Sequence, residues 1–366
     1  MKILVAFNAF KSTLSALGAS FLLEYTLQNK FKLNIAPIAD GGDGTAEVLA
    51  INLHLREFAS ESFDALGRPI TARYYSDSNK TAYLDLADCS GIRHLNPKEL
   101  EPYSTSTFGT GLVIKKAIEA GHEHIVLGLG GSASIDLGFG LLNALGLSIL
   151  DINGAKMSTS VKEWIKKINR FSWDDNPYGH IKFTLLCDVN NKFWGKEGAI
   201  LTFGKQKGLR DSEKKRFTYY IKSLYKKLRS VNPQLTDTGY HGAAGGVAVG
   251  MSCFLNTEMH QGSDYVYNIC ELDRKIRDSD VIITGEGRYD SQSIRGKACH
   301  LILQQAKKYR KKTILLSSGM LRDSDMINHF VQLDDVRLGI DSRDEILEKF
   351  KKAAIRVKSI LENIER

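Results

Sequence analysis

The amino-terminal part of the chain alternates between short apolar runs and amphipathic stretches. Residues 3–7 and 33–38 are largely apolar, which predicts a buried strand over 3–7 and a second strand over 33–38. Between these runs, apolar side chains recur at helical spacing and predict one buried helix face, made of Leu14, Leu17, Phe21 and Tyr25. Ser12 or Thr13 would cap this helix at its amino terminus. A second helix, lined by Ala46, Leu49 and Leu53, follows the second strand.

The carboxyl-terminal hundred residues repeat this order of elements. Apolar runs at 281–283, 313–316 and 330–331 predict three further strands. Helical spacing predicts a helix after the first of these runs, marked by Leu301, Ile302, Ala306 and Tyr309, and a last helix begins near residue 344. Strands that alternate with helices predict a parallel sheet with right-handed crossovers.

The middle of the chain has a different pattern. It contains hairpin-like pieces at 71–76 and 82–86, several glycine-rich loops and a polar stretch at 151–180. We interpret residues 57–270 as a second α/β domain inserted into an outer domain made of 1–56 and 271–366. The outer domain would be a flavodoxin-like, doubly wound parallel sheet of five strands.

Composition narrows the class of protein. The chain has 366 residues, of which 43% are hydrophobic and 25% charged, as in soluble globular proteins. Its five cysteines include no C-x-x-C pair, so neither a zinc site nor a disulfide framework is indicated, and a reducing compartment fits. The sequence shows no signal peptide and no apolar stretch of membrane-spanning length, which predicts a cytoplasmic protein without a membrane partner.

The excess of basic residues gives a formal net charge of +8 and favours anionic ligands. Much of this excess lies in residues 205–229. Apolar residues at helical spacing there predict a helix with a solvated basic face, namely Phe217, Tyr220, Ile221, Leu224 and Leu228. A nucleic-acid patch is the weaker interpretation, because no recognition motif accompanies the charge.

Four glycine-rich segments are the candidates for ligand binding: 39–45 (ADGGDGT), 128–136 (GLGGSASID), 241–246 (HGAAGG) and 284–290 (TGEGRYD). Glycine lets backbone amides turn toward a ligand, and a helix amino terminus that follows favours an anion. A single such loop is more often a tight turn, but four of them indicate an anion or nucleotide site. Neither the P-loop pattern nor G-x-G-x-x-G occurs, which disfavours P-loop enzymes and dinucleotide-dependent oxidoreductases.

Carboxylates and cations accompany these loops. The acidic candidates are Asp40, Asp43, Asp136, Asp188 and Asp290, and the basic ones are Lys11, Arg288 and Lys297. Aspartate at a strand end beside glycines can hold magnesium or accept a proton from a hydroxyl, and phosphoryl transfer needs both roles as well as cations. Each aspartate alone, and His241 beside the third glycine segment, is more often structural.

Topology places part of the site. Ligands of doubly wound sheets bind at the carboxyl ends of strands, where the strand order reverses. That point lies between the first strand and the strand at 281, so residues 8–12 and 285–290 should face each other. The inserted domain would close the cleft and exclude water, which limits wasteful hydrolysis of ATP.

Taken together, the motifs resemble those of the type I glycerate kinase family along nearly the whole chain. The matching segments are Phe10-Lys11 with 14–16, 39–45, 108–111, 128–133 with Asp136, 187–189, 203–208 (FGKQKG), 242–246, and 284–288 with Asp290, Gln292 and 296–298. The resemblance implies a flavodoxin-like domain with an inserted α/β domain. It also implies ATP-dependent phosphorylation of glycerate, usually to 2-phosphoglycerate.

The chain departs from the family pattern at three places. Asn8-Ala9 stands where the family usually has Asp-Ser, which removes a carboxylate from the predicted cleft. Ile135 and Leu137 flank Asp136 in place of Asn and Gly, and Asp43 replaces a glutamate.

These observations define the predicted site. We expect Lys11 and Arg288 to contact anionic groups, and Asp290 to be the base, with Asp188 as the alternative. The nucleotide would bind at Gly130, Gly131, Ser132, Gly245, Gly246 and Lys297. Magnesium would bind through ATP with help from Asp40 and Asp136. A glycerate- or nucleotide-binding regulatory protein without turnover remains the alternative of another class.

Overall fold

The structure is a computed structural model that describes residues 1–10, 13–27, 30–159, 162–173, 175–290, 293–294, 297–319, 325–333 and 342–365. Its strands are β1 (Ile3–Phe7), β2 (Leu33–Ile35), β3 (Arg56–Phe63), β4 (Pro69–Ser76), β5 (Thr81–Asp85), β6 (His124–Gly128), β7 (Ser148–Leu150), β8 (Lys156–Met157), β9 (Arg170–Ser172), β10 (Lys182–Cys187), β11 (Asn256–Gln261), β12 (Val281–Gly285), β13 (Lys312–Ser317) and β14 (His329–Gln332).

Its α-helices connect these strands. They are α1 (Ala16–Leu27), α2 (Thr45–Leu53), α3 (Ala87–Ser90), α4 (Phe108–Glu119), α5 (Phe139–Ala144), α6 (Trp164–Lys167), α7 (Ala199–Phe203), α8 (Lys214–Val231), α9 (Val247–Phe254), α10 (Gly262–Ile269), α11 (Leu272–Arg277), α12 (Ala298–Lys308) and α13 (Arg343–Glu365).

The first compact unit consists of Met1–Asp40, Glu47–His54 and Gly262–Arg366. Its five-stranded sheet has the order β14-β13-β12-β1-β2, and the paired strands run parallel. Numbered within this unit, the order is 2-1-3-4-5, which confirms the predicted flavodoxin-like sheet. The strand order reverses between β1 and β12, which pair directly.

Helix α1 corrects the prediction for its buried face. Phe21 is 53% and Tyr25 78% exposed. The buried positions of the helix are instead Ala16, Ala19, Ser20, Leu23 and Leu27. The sequence holds two apolar stripes on this helix, and the stripe with the smaller residues packs inward, because small side chains let the helix approach its neighbours closely. Ser15 rather than Ser12 or Thr13 is placed to cap α1, since its Oγ accepts the Gly18 N–H at 3.0 Å.

The second compact unit consists of Gly41–Ala46 and Leu55–Gln261. Its six-stranded sheet has the order β11-β10-β6-β5-β4-β3, in which β11, β10, β6 and β5 run parallel and β5, β4 and β3 antiparallel. A small antiparallel sheet, β8-β7-β9, occupies part of the polar stretch. Helix α8 buries the predicted apolar stripe, with Tyr220 half-buried at its edge.

The limits of the two units differ from the predicted boundaries at 57 and 270. Helix α10 packs against α11 and α12, and so belongs with the first unit. Residues 41–46 belong with the second unit, where the Asp85 carboxylate accepts the backbone N–H groups of Gly44 and Ala46. A change of apolar pattern marked neither limit. The first depends on Asp85, 41 residues from Gly44, and the second on the packing of α10 against α11 and α12.

Among the helices of the described residues, none is both long enough and apolar enough to cross a membrane. The five cysteines carry no disulfide.

Candidate active site

The carboxyl ends of three parallel strands meet at one edge of the second unit's sheet. Strand β6 lies between β5 and β10 and pairs with both in parallel. The second glycine segment follows β6 at this edge, and Asp188 follows β10. The edge therefore gathers groups that lie far apart in the sequence, as expected for the ligand side of a parallel sheet.

The loop after β6 is shaped by Gly130. The Gly130 N–H donates to the Gly41 carbonyl at 3.1 Å. A Cβ at Gly130 would lie 2.4 Å from the Gly42 Cα and 3.3 Å from the Asp188 Oδ2. Only glycine permits this approach, which brings the first glycine segment, the second one and Asp188 together. The next residue, Gly131, has a φ of +76°.

Lys207 lies beneath this loop and is the functional candidate that the sequence-based list missed. Its Nζ donates to the Ser132 Oγ at 2.6 Å and to the Ser134 carbonyl at 2.8 Å. Burial lowers the pKa of Lys207 to about 8, against the opposing effect of the Asp136 and Asp188 carboxylates. The FGKQKG segment at 203–208 could have pointed to Lys207. It was used only as evidence for the family resemblance, and none of its residues was given a role.

Asp136, a predicted magnesium ligand, is instead an internal hydrogen-bond acceptor. It is fully buried, and its Oδ2 accepts the Thr107 N–H and Oγ1–H at 2.8 and 2.7 Å. Its two oxygens also accept the N–H groups of Gly138 and Gly140 at 3.1 and 3.3 Å. Burial raises the pKa of Asp136, and these hydrogen bonds oppose the shift. Both carboxylate oxygens of Asp136 accept hydrogen bonds, and the residue is buried. This geometry does not support a role as a magnesium ligand.

The third glycine segment supports the second from behind. Gly245 has a φ of +65°, and a Cβ there would lie 2.2 Å from the Ser134 carbonyl oxygen. Its own carbonyl accepts the Leu137 N–H at 3.1 Å. Gly246, with a φ of +89°, packs against Leu137 and Phe193. These glycines serve close backbone packing, and their contact with a nucleotide stays a prediction.

His241 has structural contacts. It is 3% exposed, and its Nδ1 accepts the Thr238 N–H at 3.1 Å. Burial lowers the pKa of its imidazole. These observations agree with the structural interpretation of this residue.

The first glycine segment directs backbone amides toward a carboxylate of the protein itself. Asp85, at the end of β5, is 5% exposed and accepts the Gly44 N–H at 3.0 Å and the Ala46 N–H at 3.1 Å. Burial raises the pKa of Asp85. Asp43 contacts Arg93 at 2.6 Å, and Arg93 also pairs with Asp88. Asp85 was missed because no glycine stands beside it in the sequence, whereas most of the predicted aspartates were chosen at strand ends near glycine-rich loops.

The first unit presents its own groups at the switch point. The Asn8 N–H, just after β1, donates to the Gly285 carbonyl at 2.9 Å. Beyond β12, the side chain of Arg288 is 77% exposed and that of Asp290 40% exposed, with 3.8 Å between the Arg288 Nε and the Asp290 Oδ2. Both side chains are thus accessible to a ligand.

Of the remaining predicted residues, the structure describes Lys297. Lys297 is half-buried at the start of α12. Lys11, Ser12, Gln292 and Gly296 lie outside the described residues.

The Asn8 carboxamide turns back on its own segment. Its Oδ1 accepts the Ala9 N–H at 2.8 Å, and the residue is 7% exposed. Asn8, one of the departures from the resembled pattern, thus has its side-chain oxygen hydrogen-bonded to the backbone of its own segment.

The donors for a metal are few. Within the part of the chain that the structure describes, no group of three His, Cys, Asp or Glu side chains is arranged to hold an ion. Asp40 is 8% exposed, and Asp136 is saturated with hydrogen bonds. Magnesium commonly binds through one or two carboxylates and the phosphates of a substrate. This donor set fits a cation that arrives with a nucleotide better than a cage made by the protein.

Comparison with known proteins gives one consistent result. The description of the matching family model is "Glycerate kinase family", and the match covers residues 3–366. The chain is 32% identical to a glycerate kinase of Bacillus subtilis, over 89% of this chain and 87% of that protein. It is 31% identical to a glycerate 2-kinase of Escherichia coli, over 96% and 94%.

A solved structure agrees with these sequence relatives. The crystal structure of a protein named glycerate kinase 2 from Salmonella typhimurium LT2 matches with a TM-score of 0.81 and 28% identity. The match covers 100% of this chain and 99% of that one. The sequence motifs, the two α/β units and these matches lead to one conclusion: the chain belongs to the glycerate kinase family.

Proposed function

We propose that this protein transfers the γ-phosphoryl group of ATP to D-glycerate and forms 2-phosphoglycerate. The observation that carries the proposal is the convergence of two glycine-rich segments and Asp188 at the carboxyl edge of the second unit's sheet, in a chain of this family. We assign the reaction to the cytoplasm, because the five cysteines are free, as a reducing compartment would keep them.

Nucleotide binding is assigned to the loop after β6. Gly130 packs against Gly42 and shapes the loop, and the exposed Gly131 leaves its backbone accessible to phosphate oxygens. Ser132 supplies a hydroxyl that Lys207 already orients by donating to its Oγ. Gly245 and Gly246 hold this loop from behind, and Lys297 is a further cation for the phosphates. Because phosphoryl transfer depends mainly on positioning and charge neutralisation, a rigid loop is well suited to it.

Activation of the glycerate hydroxyl is assigned to a carboxylate. Asp290 is the first choice, since its side chain is 40% exposed at the switch point of the first sheet. Asp188, half-buried beside Gly130, is the alternative. Arg288 and Lys11 would neutralise the glycerate carboxylate or the transferring phosphoryl group. A loose transition state needs the base chiefly to guide the proton away as the new bond forms.

Magnesium, when bound with ATP, supplies positive charge to the β- and γ-phosphate oxygens. We assign Asp40 as the protein carboxylate that assists it. The buried Asp136 takes no part in this assignment, because its oxygens already accept protein hydrogen bonds.

The test is a phosphorus NMR spectrum of the full-length protein incubated with ATP, magnesium and D-glycerate. We expect ADP and 2-phosphoglycerate in equal amounts. A 3-phosphoglycerate signal, or turnover only with a related small hydroxy acid, would change the product or the substrate and keep the reaction class. Binding of glycerate without any consumption of ATP would replace the proposal with a regulatory binding protein.

A further inference from the structure

Lys207 is placed by the two glycines of its own segment. The segment runs from the end of α7 into a short 3-10 helix, Lys205–Lys207. A Cβ at Gly204 would lie 2.3 Å from the Ile200 carbonyl oxygen, and one at Gly208 would lie 2.1 Å from the Leu100 carbonyl oxygen. Gly208 also has a φ of +87°. These close approaches turn the chain so that Lys205 and Gln206 face solvent while Lys207 points inward.

The Lys207 ammonium joins two parts of the loop after β6. It is 3% exposed and donates to a side-chain oxygen at Ser132 and to a backbone oxygen at Ser134. Both acceptors lie more than seventy residues away in sequence, so the lysine is a tertiary support of the loop. Burying an ammonium costs free energy unless it is paired and hydrogen-bonded. A lysine buried at this position therefore indicates a role that outweighs the cost.

The charges around Lys207 indicate what that role is. The carboxylates of Asp136 and Asp188 both act on it, and the Asp188 Oδ2 borders Gly130 in the loop. Without the lysine, these carboxylates would leave uncompensated negative charge beside a loop assigned to an anionic ligand. The ammonium is nearly inaccessible to solvent and is therefore a positioning residue, not a catalytic one.

We propose that Lys207 holds the 130–134 loop in its nucleotide-binding conformation. Its positive charge also offsets the negative charge of Asp136 and Asp188 near the phosphates of ATP. This inference deepens the proposed function and rests on it. Lys207 acts through Ser132 and the loop backbone, so its removal should weaken nucleotide binding more than it affects the glycerate site.

The experiment measures ATP binding by calorimetry in the absence of glycerate, on the full chain. Lys207→Met keeps most of the length of the side chain and removes its charge. We expect the Kd for ATP to rise by about 10–100-fold, the range for lost charge-assisted hydrogen bonds. Lys205→Met is the matched control, because Lys205 is exposed in the same short helix. The control should bind ATP as the wild type does, and Lys207→Arg should recover part of the loss.

Steady-state kinetics provide a readout that a purely structural lysine would not give. For Lys207→Met we expect KM for ATP to rise with the Kd, while KM for glycerate stays within about twofold. The inference would be overturned if the KM values for ATP and for glycerate rose equally in Lys207→Met. It would also be overturned if Lys207→Met bound ATP as tightly as Lys205→Met. A wild type that binds ATP but does not phosphorylate glycerate refutes the proposed function and leaves the binding comparison intact.

A measurement on the wild type covers the case in which Lys207→Met does not fold. Burial lowers the pKa of Lys207 to about 8, with Asp136 and Asp188 as the charged groups that act on it. The ammonium therefore loses its charge as the pH rises through that value, and ATP affinity should fall above pH 8 in the wild type and in Lys205→Met. Lys207→Arg stays charged and should show no such fall. Affinity that is flat across this range in the wild type would overturn the inference.

Discussion

The hydroxyl of Tyr289 and the Nδ1 of His300 lie 2.7 Å apart and share a buried hydrogen bond. Tyr289 stands between Arg288 and Asp290, the two exposed candidates of the first unit. Its N–H donates to the Ser317 Oγ at 2.9 Å, so the residue is anchored at both its backbone and its ring. Burial raises the pKa of Tyr289 to about 12 and lowers that of His300, so the pair is neutral near pH 7.

The first prediction concerns this pair. Tyr289→Phe removes the hydroxyl and leaves the His300 ring nitrogen without its buried partner. We expect a loss of about 1–3 kcal/mol in the free energy of unfolding, measured in urea. Because the anchored segment carries Arg288 and Asp290, kcat should also fall. Unchanged stability would show that the hydrogen bond contributes nothing.

The same pair predicts a dependence of stability on pH. His300 has a folded pKa below its ordinary value of 6.5, so the unfolded chain binds more protons between the two values. The contribution of His300 to stability therefore falls as the pH drops through this window and is constant above it. His124 and His241 shift in the same direction, so the difference between the wild type and His300→Gln isolates the contribution of His300. Parallel stability curves for the two proteins between pH 5 and 7 would contradict the assignment.

The second prediction concerns the close approach at Gly130. Gly130→Ala sets a methyl group 2.4 Å from the Gly42 Cα, which forces the two segments apart. We expect about 1–3 kcal/mol of destabilisation from this overpacking, together with weaker ATP binding. Gly179→Ala is the control, because nothing lies within 4 Å of a Cβ at that position. Thermal unfolding and calorimetry of both variants provide the comparison, and equal behaviour would contradict the prediction.

The third prediction identifies the base. Asp290→Asn keeps the shape of the side chain and removes its charge, and kcat should fall by about 10²–10⁴-fold with a smaller change in ATP binding. If Asp188→Asn is inactive while Asp290→Asn retains near-normal kcat, the two roles are exchanged. If both variants remain active, neither aspartate is the base.

The fourth prediction concerns Arg288. The Arg288 guanidinium is exposed, so removing it should not disturb the core. We expect Arg288→Ala to lose about 3 kcal/mol of transition-state stabilisation, the effect of losing an electrostatic contact to the reacting group. The quantity to measure is kcat/KM for glycerate at saturating ATP. An unchanged value would remove Arg288 from the site.

The fifth prediction separates the two aspartates first assigned to magnesium. Exhaustive chelation should abolish activity, and added magnesium or manganese should restore it. Asp136→Asn turns an amide toward N–H donors, so it should lower the thermal unfolding midpoint. It should leave the magnesium concentration for half-maximal activity unchanged, whereas Asp40→Asn should raise that concentration. The reverse pattern would restore Asp136 as the metal ligand.

The sequence alone determined the class of fold and the position of the glycine segments. Apolar runs at 3–7, 33–38 and 281–283 predicted strands that the structure contains, and their alternation with helices predicted the parallel sheet of the first unit. An apolar run indicates which side chains of a segment are buried. In a strand covered on both faces nearly every side chain is buried, so the run alone identifies the strand.

Only the tertiary structure decided which polar and apolar groups are inside. The FGKQKG segment offers three adjacent polar residues, and the glycines that press on Ile200 and Leu100 select Lys207 for burial. Asp136 looks like any other aspartate in a glycine loop until Thr107, distant in the chain, donates to it. Helix α1 likewise has two apolar stripes, and packing selected the one with Ala19 and Leu23. A partner distant in sequence takes part in each case: Leu100 and Ser132 for Lys207, Thr107 for Asp136, and helix α13 for α1. Local spacing carries no information about such partners.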